Sequence, residues 1–300
     1  MTEKQKGEGI ILLQTVIWGF FPIITVLTYA KLTGLASLSW SIVVTTIFFG
    51  VILVLRNKIK ELANLQLWKY ALAIAFFNGL MYYGLVFVGL TYTTAGNLSI
   101  VSLFEILTSF VFFHIIRKDH VSKEHTIGAG LMLLGAFIVL WPNFTHFNLG
   151  DILVLSATFF PPLGNLAQQK ARKIASSESV LFARSVLTFP IVFLLSIILS
   201  QTASFADIKS SLIFLLINGV VIFGLAKIMW LEGIHRIAVT KALALASISP
   251  IFTLFFAWLL LHQTPNVWQL TSLVPMIFGI FLLTDQLKLD HLQSGSPEID

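Results

Sequence analysis

Apolar runs of about twenty residues recur from residue 10 to residue 284, and no polar domain separates them. A bilayer's hydrocarbon core is about 30 Å thick, and roughly 20 apolar residues of helix are needed to cross it. No water is available there to satisfy an open backbone, so runs of this kind fold as helices packed on one another. The chain is therefore read as an all-α integral membrane protein with no soluble domain attached. Only 11% of its residues are charged and 57% are hydrophobic, whereas a soluble domain carries about 25% charged residues. The mean hydropathy is +0.90.

Ten spans are expected, at about 9–30, 36–55, 68–90, 95–116, 124–141, 150–170, 179–200, 211–232, 238–261 and 267–285. Lys4 and Lys6 before the first run imitate a signal peptide, but the run is too long for an h-region and no small-residue cleavage site follows. Residues 286–300 read as a polar cytoplasmic tail. With the N-terminus inside, the cytoplasmic connections carry Arg56, Lys58 and Lys60, then Arg117, Lys118 and Lys123, then Lys170, Arg172 and Lys173, then Arg236 and Lys241. The opposite connections offer Lys31 and Lys209. This positive-inside bias places both termini in the cytoplasm of a cell (inner) membrane and accounts for the net charge of +5 without any nucleic-acid partner. Trp40, Trp141, Trp258 and Trp268 fall near outer span ends and Trp68 and Trp230 near inner ones, as an aromatic belt would.

The chain repeats itself. A shift of 144 residues lays Glu105 on Ser249, Ile106 on Pro250, Ser109 on Thr253 and Gly135 on Gly279. Upstream, Asn78-Gly79 pairs with Asn218-Gly219 and Phe20-Phe21-Pro22 with Phe159-Phe160-Pro161. The halves are residues 1–145 and 146–285. Five spans is an odd number, so the copies must be inverted, the 5+5 architecture of many secondary transporters with a site near the midplane.

Trp18-Gly19 in the first span, Glu105-Ile106 leading to Lys118-Asp119, Ser249-Pro250 leading to His262-Gln263, and the glycine-rich run Gly128–Leu140 together resemble the drug/metabolite transporter superfamily, in its ten-helix EamA-type branch. The first copy keeps the Glu of that family's Glu-Pro element and the second keeps the Pro. The resemblance implies an inverted-repeat carrier whose third, fourth, eighth and ninth helices line a central cavity. Members of the family move amino acids, nucleotide-related metabolites, sugars or drugs, often outward.

Glu105 is the one carboxylate at bilayer depth, and Ser102 and Ser109 share its helix face. Such a charge is costly in lipid and faces an interior or an aqueous cavity. It is a candidate for holding substrate or a proton. The structural alternatives are a protonated, hydrogen-bonded carboxyl or a pairing with Lys227. Ser249 and Thr253 in the second copy face the same cavity or serve as interhelical hydrogen-bonding groups. Asn78 and Tyr82 share a face of the third span and line the pathway or bond a neighbouring helix. Trp18 forms an aromatic wall or packs among the 27 phenylalanines. Lys227 snorkels to the headgroups or serves as counter-ion to Glu105 or to a substrate carboxylate. Arg184 and Lys241 read as topology charges.

No cofactor is expected. Cysteine is absent, His114, His120 and His125 lack metal-ligand spacing, and neither a Walker loop nor a dinucleotide-binding glycine pattern occurs. The expected function is a secondary active transporter, an exporter or exchanger of a small metabolite such as an amino acid or amine. It would work by alternating access as a monomer, with protons as the candidate coupling ion. The competing class is an intramembrane enzyme acting on a lipid-linked substrate, which would need several acids, histidines or arginines at one depth.

Overall fold

The computed structural model describes residues 2–117, 122–143, 148–283 and 287. Lys118, Asp119, His120, Asp285, the side chains of His114 and Arg117, and the tail expected at 286–300 apart from Leu287 lie outside the described residues. Among the described residues, nine helices are long and apolar enough to cross a membrane. They are α1 (Glu3–Thr28), α2 (Gly34–Leu55), α3 (Leu65–Gly89), α4 (Ala95–Phe112), α5 (Lys123–Leu140), α6 (Leu149–Arg172), α7 (Ser177–Ile198), α8 (Leu212–Arg236) and α9 (Lys241–Leu261). The tenth expected span is α10 (Val267–Leu283), an apolar helix of 17 residues, shorter than the rest.

The halves pack as inverted copies. At one end of α2 the Leu35 N–H donates to Gln201 beyond the end of α7 (3.2 Å), and at the other end Arg56 pairs with Glu178 at the start of α7. These equivalent helices therefore run antiparallel. The same holds for α5 and α10, where Gly128 meets Gly279 and Gly135 meets Ser272 and Met276. A Cβ on Gly279 would lie 2.7 Å from the Gly128 carbonyl oxygen, and one on Gly128 would lie 2.8 Å from the Gly279 oxygen. Only glycine permits that approach, which membrane helices use in place of a hydrophobic driving force. Other cross-half contacts, such as α1 on α8, α6 on α3 and α4 on α9, are likewise exchanged by the repeat.

Four spans are broken at matching places. In α1 the first piece stops at Gly19, and a second begins at Phe21-Pro22. In α6 the break precedes Pro161. In α4 it falls at Ser102-Leu103, and in α9 at Ser247-Ile248 before Pro250. Proline has no N–H to donate to the preceding turn, so three of the four restarts carry it in their first turn. The carbonyls released by two breaks are taken up symmetrically. Thr108 donates to the Thr158 carbonyl (2.6 Å), and Thr253 donates to that of Gly19 (3.0 Å). Ser102 and Ser247, and Thr108 and Thr253, are each 145 residues apart. Beyond the break, then, the spatial counterpart of Glu105 is Pro250, one residue on from the Ser249 read from the letters. The first piece of the second copy contains one more residue, Val239–Ala246 against Ala95–Val101. In α3 and α8, π-helical stretches (Ala75–Tyr82 and Ile217–Ala226) take the place of breaks.

Arg56, Lys58, Arg172, Arg236 and Lys241 of the basic connections are ion-paired at one end. Glu232 accepts from Arg172 (2.8 Å), Arg236 (2.5 Å) and the Ser177 hydroxyl (2.6 Å). Arg236 also reaches Glu3, Lys241 pairs with Glu8, and Glu178 holds Lys58 as well as Arg56. The other end is joined by neutral and mixed hydrogen bonds, such as Gln269 to Asn97 (2.7 Å) and Asn97 to Asp151 (3.4 Å). Two expectations fail here. Trp230 belongs to no interfacial belt: it is 8% exposed and faces inward, because α8 turns that side toward α1 and α9. Arg184 is no surface charge: it is 5% exposed, against the ring of Tyr83.

Candidate functional site

Where the breaks meet the π-helical stretch of α3, a cavity of about 110 Å³ opens between the halves. Its walls come from α1, α3, α4, α6, α8 and α9, two more helices than the four expected. The interruptions build it. An unbroken helix would turn its bonded backbone and apolar side chains toward this space, whereas each break redirects a side chain into it.

Glu105 shows the effect. It lies in the first turn of the piece that restarts at Phe104, at the positive end of that helix's dipole, which favours a carboxylate. Its Oε1 accepts a hydrogen bond from Asn165 Nδ2 at 3.0 Å, across the two halves. Asn165 lies in the restarted piece of α6, and its Oδ1 accepts from Gln168 (3.3 Å) and Asn78 (3.4 Å). A partly buried carboxylate thus heads a chain of amides whose donors all point one way. Asn78 is wedged against Gly164, where any side chain would collide with its amide. At the equivalent place in the second half, Asn218 is also buried and donates to Thr25 (3.2 Å).

Of the residues singled out from the sequence, Trp18, Asn78, Tyr82, Ser102, Glu105, Ser249 and Thr253 line this cavity. The Ser102 hydroxyl bonds back to Leu98 (2.7 Å), and that of Thr253 is committed to Gly19. Ser109 is not among the lining residues although it shares the restarted helix with Glu105, and its hydroxyl is buried without a partner among the described residues. Lys227 does not snorkel. Its Nζ lies 3.8 Å from the Trp18 ring centroid and 5.5 Å from that of Tyr83, inside the bundle. Trp18 also stacks on Phe21 at 4.7 Å, so its indole separates a phenyl ring from an ammonium.

Gln14, Tyr83, Ser99, Asn165 and Ser247 also line the cavity. Polar side chains within apolar runs were the available signal for Gln14 and Asn165. Gln14 Oε1 and Asn78 Oδ1 are buried acceptors with no partner. Among the described residues, Glu105 is the one carboxylate in the lining. The site is rich in acceptors, and a donor-bearing cation would satisfy it.

A helical membrane protein whose inverted halves meet at a cavity between them has the architecture of the secondary transporters. The model of the EamA-like transporter family matches residues 5–141 and again residues 148–285, and the chain belongs to that family. It is similar to an uncharacterized transporter of Synechocystis sp., 23% identical over 77% of this chain and 70% of the relative. It is also similar to the uncharacterized transporter YoaV of Bacillus subtilis, 20% identical over 90% of this chain and 94% of that one. A solved crystal structure, 14% identical, shares the fold with a TM-score of 0.70 over 94% of this chain and 98% of its own.

Proposed function

We propose that this membrane transporter is a secondary carrier for a small metabolite bearing a cationic nitrogen, an amine or an amino acid, and that it works as an exporter or exchanger by alternating access. The observation that carries the reading is Glu105, the one carboxylate lining a cavity built by both halves, beside the unpartnered acceptors of Gln14 and Asn78. An ammonium group would occupy all three. A proton and an ammonium compete for one carboxylate, which is the minimum that proton-coupled exchange requires. Each ligand shifts the inward–outward equilibrium only through its differential affinity for the two states, and Glu105 supplies that difference. One chain holds both halves, so the working unit is the monomer.

The test is Glu105→Gln in proteoliposomes, which preserves shape and hydrogen bonding but removes titration. With a substrate found by counterflow among amines and amino acids, accumulation driven by a pH difference alone should stop while the protein stays folded. If the Gln variant still accumulates that substrate, Glu105 is structural. The ion-paired end is assigned to the cytoplasm of the cell membrane. Single cysteines at Asn64 and Ser176 should then be labelled only from inside, and those at Gly34 and Asn266 only from outside.

A further inference from the structure

At the ion-paired end Arg56, Lys58, Arg172, Arg236 and Lys241 have carboxylate partners, whereas the two cations within the bundle have none among the described residues. Arg184 is 5% exposed, makes no ion pair among the described residues, and its Nε is buried without any partner. Its guanidinium carbon lies 5.3 Å from the Tyr83 ring centroid. Lys227 likewise makes no ion pair among the described residues, and its ammonium rests on Trp18 and, farther off, on Tyr83. The two cations are near enough to repel each other, and among the described residues Glu105 is the one acid within electrostatic reach of Lys227. Aromatic faces offset part of the cost of burying a cation. They do not replace a counter-ion, and an unpaired buried charge is strongly unfavourable. Two cations facing one carboxylate leave the centre of the protein short of one negative charge.

We propose that Lys227 and Arg184, with Tyr83 against both, form an anion subsite that takes the carboxylate of the transported molecule. The rings on which the cations rest, Trp18 and Tyr83, are themselves walls of the cavity. A carboxylate beside those walls comes within reach of the Lys227 ammonium through its flexible stem, and the fixed fork of Arg184 sits behind Tyr83. Glu105 in the same lining is left for an ammonium. The site is thus dipolar, and its ligand is a zwitterion with both charges at one end of a small molecule, in preference to a simple amine. The proposal rests on the carrier reading above and narrows its substrate class.

Counterflow in proteoliposomes tests it, using the twenty common L-amino acids, each beside its carboxamide and its decarboxylated amine. At least one free acid should exchange, and its amide and amine should exchange about tenfold less well or worse, the loss expected when a charge-assisted contact is removed. In Lys227→Met and Arg184→Met that preference for the acid should collapse, and Lys227→Arg should restore part of it. If amides or amines exchange as well as the acids in the unmodified protein, the anion subsite is wrong while the Glu105 carrier reading stands. The subsite is equally overturned if both Met variants, folded by gel filtration, keep the full preference. If no compound exchanges at all, the carrier reading fails and the subsite falls with it.

Discussion

Asn165 of the second half donates from Nδ2 to Oε1 of Glu105 in the first, at 3.0 Å. The contact joins residues 60 apart in the chain, on two helices that are each broken just before the residue concerned. It is the point at which the inverted halves share a functional group.

Removing that donor should disturb more than one bond. In Asn165→Ala the Glu105 carboxylate, the Asn78 amide and the Gln168 amide each lose a partner in a buried setting. Leaving such groups unsatisfied costs about 1–3 kcal/mol. The melting temperature in detergent should fall, and affinity for a cationic substrate should weaken by about tenfold because Glu105 is no longer oriented. A variant with unchanged melting and unchanged counterflow would show that Asn165 neither holds nor orients Glu105.

The α5–α10 contact should respond to a single methyl group. Gly279→Ala places its Cβ 2.7 Å from a backbone oxygen of Gly128 and 3.0 Å from the Met132 nitrogen, atoms that cannot turn aside. Overpacking of this kind costs about 1–3 kcal/mol. Gly130→Ala, on the partner helix but with nothing within 4 Å, should be neutral or stabilising by up to about 1 kcal/mol through helix propensity. Thermal unfolding of the two variants side by side decides the matter, and equal melting temperatures would contradict the close packing.

Glu232 ties α6, α7 and α8 together at the basic end, and through Arg236 it is linked to Glu3 of α1. Those ties must release if the cavity is to open on that side. Glu232→Gln weakens them and should favour the open state there, by about tenfold for each 1.4 kcal/mol lost. The readout is the labelling rate of a cysteine at Ser247 in the cavity wall, using an impermeant maleimide applied from the basic side. An unchanged rate would mean that these ion pairs are not a gate.

Glu61 lies outside the spans, on the short helix Ile59–Ala63. Burial alone would push its carboxyl up. The Ser176 N–H (2.7 Å), the Ser176 and Ser179 hydroxyls and the nearby Lys58 outweigh that and hold it below the ordinary value of 4.5. A depressed carboxylate contributes stability that is present above the unfolded value and lost as pH falls through the folded one. Glu61→Gln should therefore lower the melting temperature at pH 7, and its gap from the unmodified protein should narrow below about pH 4.5. A gap that is constant across that range would show that the charge of Glu61 contributes nothing.

The repeated apolar runs determined the helical membrane fold, because hydropathy over twenty residues is a local property that does not depend on packing. The 144-residue repeat and the odd number of spans in each half determined the inversion, and the isolated charge of Glu105 marked where the cavity would be. What the letters left open was rotation. A membrane helix is apolar on its lipid side and on its packed side alike, so no amphipathic stripe tells which way a residue faces. For that reason Ser109 was expected on the face of Glu105 and is not part of the cavity wall, Lys227 was read as snorkelling or as a counter-ion and rests on Trp18 within the bundle, and Trp230 was expected at the interface and lines the cavity. Asn165, Tyr83 and Arg184 acquire their places only through contacts with helices 60 to 101 residues away in the chain. Those contacts depend on how ten helices turn their faces toward one another, and packing between the halves decides that.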